Sequence, residues 1–180
     1  MVPQSYSLFP WLTVQKNVEY GLSLAKVSKA ERLERAAHYV VAVGLTAFRD
    51  SYPSQLSGGM KQRVAIARAL AVNPEVLLMD EPFGALDSQT RSVMQELLLN
   101  IWQQERKTVL FITHDIDEAI FLGDVVYVMS ARPGRIMDTV EVNIERPRDY
   151  TVTTSPEFIT LKKRIMTSLH DEVGKALAMH

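Results

Sequence analysis

Apolar residues recur at Val14, Val18, Leu22 and Ala25, a helical spacing that predicts a helix over 14–24. Ser28, with Glu31 three residues later, has the capping-box pattern and predicts a second helix to about Val43, with Gly44 as its stop. Ser57 opens a third, running to about Val72 and closed by Asn73-Pro74. The chain to about Asn73 therefore reads as helical. Beyond it the pattern changes. Val76–Met79, Thr108–Ile112 and Asp124–Met129 are short runs with little or no polar interruption. Helical stretches over 88–105 and 116–122 separate them. Apolar strands alternating with helices predict an α/β fold whose parallel strands are buried on both faces. Arg135–Val142 follows the Pro133-Gly134 turn and reads as one more strand, antiparallel. A loop rich in Pro, Arg and Thr leads to a last amphipathic helix, about Ser155–Ala178, with Phe158, Leu161, Ile165 and Leu169 on one face.

Composition narrows the function. The formal net charge of −1 gives no global electrostatic reason to expect a nucleic-acid partner. With no cysteine, disulfides and thiolate chemistry are excluded. No apolar run reaches the roughly 18–20 residues that span a bilayer, so a membrane role has to come through a partner.

Four stretches carry candidate chemistry. Ser57-Gly58-Gly59 opens a helix, whose N-terminal N–H groups and dipole suit an anion; alone, the triplet is most simply a flexible N-cap. Val76–Met79 delivers Asp80 and Glu81 to a strand's C-terminal end, where a parallel sheet binds ligands. One carboxylate can hold Mg²⁺ and its neighbour can orient an attacking water. Asp87 in Ala85-Leu86-Asp87 is, by itself, most simply a helix N-cap. His114 in Thr113-His114-Asp115 ends the second strand, and from there it could meet Glu81.

The conjunction, in this order, resembles the nucleotide-binding domain of ABC transporters, over roughly residues 1–142. LSGGMKQRVAIARAL is similar to the signature motif and its helix, VLLMDEP to Walker B with the catalytic glutamate, FGALD to the D-loop and THD to the switch histidine. Gln4 and the following SYSLFPWLTVQKNV resemble the Q-loop and the entry to the helical subdomain. The resemblance implies a partial P-loop NTPase fold: a helical subdomain over 5–73, a core over 74–142 and an accessory tail over 143–180. It implies ATP and Mg²⁺, with Asp80 and Gln4 on the metal. Glu81, His114 and Gln4 are then catalytic, Ser57, Gly58 and Gly59 hold the ATP of a partner subunit, and Asp87 links the two sites. The implied partners are a second ATP-binding subunit, a membrane permease and, indirectly, a substrate-binding protein, at the cytoplasmic side of the membrane. Phe9–Val14, Met60 and Ser155–Phe158 look like importers of the nitrate, sulfonate, taurine and bicarbonate group.

The departures matter too. Gly-x-x-x-x-Gly-Lys-Ser/Thr, the P-loop, is absent from residues 1–180, so the resemblance implies a chain that begins partway through the domain. Pro3 stands where the family usually has Phe, and its missing N–H puts the Q-loop geometry in question. A non-catalytic interaction protein, or a soluble ABC ATPase acting on DNA or ribosomes, are the other readings.

Overall fold

The structure, a computed structural model, describes residues 1–4, 7–131 and 133–178, with the side chains of 171 and 173–178 left aside. Ser5 and Tyr6, within the stretch that follows Gln4, lie outside the described residues. The chain divides into two compact units, Met1–Ile112 and Thr113–His180.

The first unit opens with three mutually packed helices, α1 (Val14–Leu24), α2 (Lys29–Ala42) and α3 (Gly58–Ala71). Val14, Val18 and Leu22 of α1 are buried as the spacing predicts, while Ala25 is the exposed C-cap. The capping box of α2 is half formed. Ser28 accepts from the Glu31 N–H at 3.3 Å, but the Glu31 carboxylate pairs with Arg35 at 3.4 Å, the favourable spacing along a helix. Gly44 terminates α2 at φ 69°, a conformation open to glycine.

The strands β1 (Val76–Asp80) and β2 (Thr108–Ile112) are parallel, joined by α4 (Ser88–Glu105). A third segment pairs with β1 on its other side: Val2 donates to Leu78 O at 2.7 Å and accepts from the Asp80 N–H at 3.0 Å. This corrects the concern over Pro3. Along a strand, successive residues turn their N–H groups to opposite sides, so the amide that β1 needs is that of Val2, which is fully buried. One face of the sheet is buried through Leu77 and Met79. The other carries Val76, Leu78, Leu110 and Ile112, each 42–53% exposed, so the expectation of burial on both faces holds for one face only.

The second unit contains α5 (Ile116–Leu122), β3 (Val125–Met129), β4 (Ile136–Glu141) and α6 (Pro156–Ala178). β3 and β4 form an antiparallel pair. The strand after the Pro133-Gly134 turn is thus antiparallel to its predecessor, as the sequence predicts. A tight connection, in which Ser130 donates its N–H to Arg135 O at 2.9 Å, returns the chain beside β3 and selects β4 as its partner. On α6, Phe158 and Ile165 are buried. Arg148, only 5% exposed, donates to the carbonyls of Ile120, Phe121, Gly123, Val142 and Ile144 at 2.7–3.3 Å. It thereby caps the C-terminal end of α5, and burial pushes its guanidinium down to about 10, still charged at neutral pH.

Candidate functional site

The site in the first unit lies at the C-terminal end of β1. Asp80 ends the strand and is half-buried, and its N–H is held by Val2 O. Glu81 follows at φ 43°, anchored by its N–H on Ile112 O at 2.9 Å. The chain then turns, with the Gly84 N–H on Glu81 O at 3.2 Å. The Gln4 Nε2 donates to Glu81 Oε2 at 3.1 Å. The pairing of Val2 with β1 explains this meeting, because it carries Gln4 to the strand end where Glu81 stands.

Ser57 is exposed and is the N-cap of α3, its Oγ accepting from the Met60 N–H at 3.3 Å. Gly58 is exposed and Gly59 buried. Asp87 caps α4, its Oδ1 accepting from the Thr90 N–H at 3.0 Å. Hydrogen bonds from Thr90 lower its carboxyl below the usual carboxylate value, so it is ionised at neutral pH. The bland reading of both residues as helix caps is thus correct, and both remain open to solvent. His114 lies in the second unit, two residues beyond β2, and the next residue, Asp115, caps α5 through the Glu118 N–H at 3.1 Å.

The set around Asp80 suits Mg²⁺. It offers carboxylate oxygens at a strand end, the hard donors that this cation takes. Mg²⁺ is commonly held this way, by one or two carboxylates with substrate phosphates and water.

Sequence reasoning missed two features. Asn17, fully buried, donates to the carbonyls of Phe9, Leu12 and Thr13 at 2.9–3.2 Å and accepts from the Phe9 N–H at 2.9 Å. It fixes the loop that presents Trp11, 70% exposed, beside the Phe9 ring. A buried asparagine at a helical core position was the available signal. The other is Thr90, which packs against Gly59; nothing in the sequence marked it.

Known proteins carry the same frame. The ABC transporter family matches residues 1–84. An ABC transporter ATP-binding protein of Methanocaldococcus jannaschii is 56% identical over 98% of this chain and 65% of its own length. The taurine import ATP-binding protein of Rhizobium johnstonii is 50% identical over 94% of this chain and 67% of its own. A dimeric ATP-binding cassette solved in a post-hydrolysis state with ADP and Pi superposes with a TM-score of 0.66 at 37% identity, covering 80% of this chain and 62% of that one. The chain thus spans about two thirds of the length of these relatives. Strand-end acids, capped signature helix and sequence identity agree: the chain belongs to the ABC transporter ATP-binding family.

Proposed function

We propose that the chain serves as the ATP-binding subunit of an ABC importer, coupling ATP hydrolysis to uptake of a small anionic or zwitterionic solute such as nitrate, a sulfonate or taurine. The observation that carries this reading is the bond from Gln4 to Glu81, which joins the two residues assigned to sensing and activating the attacking water. Asp80 and the amide oxygen of Gln4 would hold Mg²⁺, which supplies charge neutralisation at the phosphates. Glu81 orients the water and His114 contacts the γ-phosphate. Catalysis here is positioning and electrostatics.

Ser57, Gly58 and the α3 N-terminus close on ATP held by the P-loop of a second subunit, and Asp87 links the paired sites. The dimeric cassette supports such pairing. Trp11 and the loop held by Asn17 face the permease, which gives the chain its place at the membrane; no helix among the described residues is long and apolar enough to cross one. The isolated chain turns over ATP more slowly than about 1 per second, because residues 1–180 contain no P-loop.

The test mixes the chain with an intact subunit of the family whose own Walker B glutamate is changed to glutamine. About one ATP per heterodimer is expected, from a single composite site, and Ser57→Arg removes it. Two bound ATP, or binding that survives Ser57→Arg, overturns the assignment.

A further inference from the structure

Gly59 is the second residue of α3, and a side chain does not fit there. A Cβ on it would stand 2.6 Å from Thr90 Cγ2, far inside the optimal carbon–carbon separation of about 3.5–4.0 Å. Thr90 is the third residue of α4, and its N–H is the one that Asp87 caps. One residue therefore meets both helix starts. Its methyl lies against the turn that Ser57 opens, and its amide and hydroxyl both hold Asp87. Branching at Cβ restricts the threonine χ1, so these two contacts are fixed together. On the other side of the contact, Ser57 holds the Met60 N–H at 3.3 Å, and Gly59 lies between the two.

We propose that Thr90 is a positioning residue of the ATP site: its methyl, seated where Gly59 lacks a side chain, sets the Ser57–Gly58 turn in register with Asp87. This rests on the reading of Ser57 and Gly58 as a clamp for the partner's ATP. Glycine at 59 thus has a packing reason of its own, the close approach of Thr90.

The experiment moves one methyl from one helix to the other. In the heterodimer described above, Gly59→Ala weakens ATP binding about tenfold or more, the equivalent of a modest overpacking penalty. Thr90→Ala weakens it about threefold, and Thr90→Ser, which keeps the hydroxyl on the Asp87 carboxylate and lacks only the methyl, weakens it by a similar factor. The double variant Gly59→Ala/Thr90→Ala regains affinity to within about threefold of wild type, since the added Cβ occupies the vacated space. A double variant as weak as Gly59→Ala alone would mean that the alanine obstructs phosphate directly, and the proposal fails. A second measurement needs neither partner nor ATP, and so separates this proposal from the functional reading. In the chain alone, Thr90→Ala speeds hydrogen exchange at the Met60 amide about tenfold. Unchanged exchange there overturns the role of Thr90, whatever the heterodimer binds.

Discussion

The side-chain amide of Gln4 donates a 3.1 Å hydrogen bond to Glu81 Oε2, joining residues 77 positions apart in the sequence. The bond is exposed to solvent, so its net contribution to stability is small, about 1 kcal/mol or less. On the proposed mechanism, its value lies in aiming the carboxylate. Gln4→Leu is expected to leave the urea midpoint of the chain nearly unchanged. In a subunit that also carries a P-loop, the same change cuts phosphate release about tenfold or more. Loss of stability in step with activity would make the bond a structural one.

The edge segment at Val2 gives a contrast between adjacent residues. Val2 makes both backbone bonds to β1 and is fully buried, so Val2→Ala is expected to cost about 1–3 kcal/mol. Pro3 contributes no amide to β1, and Pro3→Ala is expected to stay within about 0.5 kcal/mol. Chemical denaturation of the two variants compares them directly.

Arg148 holds the second unit together through five carbonyls. Arg148→Met leaves those acceptors buried without their donor and is expected to cost about 3–5 kcal/mol. Arg148→Lys recovers less than half of this, because an ammonium has three donors and no planar fork. Proteolysis within 143–155, read alongside denaturant melts, distinguishes the variants.

Tyr39, 8% exposed, supplies a pH dependence. Burial first, then the nearby Glu105 carboxylate, pushes its phenol up from 10.0 to about 12. An unfolded tyrosine loses its proton near pH 10, while the folded one keeps it, so in this window the folded state binds more protons. The stabilisation is complete below about pH 10 and is lost as pH rises to about 12, a change of about 2–3 kcal/mol. Tyr39→Phe is expected to flatten that part of the stability profile, measured by denaturant melts from pH 9 upward.

Local signals in the sequence were read well where a residue acts on its own neighbourhood. Ser57, Asp87 and Ser28 are N-caps in the structure because capping is settled within three residues. The helix over 14–24 likewise follows its apolar spacing. What was not legible depends on distant partners. The apolar runs at 76–79 and 108–112 predict buried strands but not what covers each face. The meeting of Gln4 with Glu81 needed the Val2 pairing, which a single residue beside a proline does not announce.

Glu81 stands in the left-handed region at φ 43°, where any residue with a Cβ is about 1–2 kcal/mol worse off than glycine. The fold alone would thus be better served by the one residue that can do no chemistry there. On the role proposed for Glu81, thermostability and activity pull apart at this position. A library of this protein selected for melting temperature would enrich Glu81→Gly and return a sturdier, silent subunit, so any effort to strengthen it has to hold this carboxylate constant and look for its gains elsewhere.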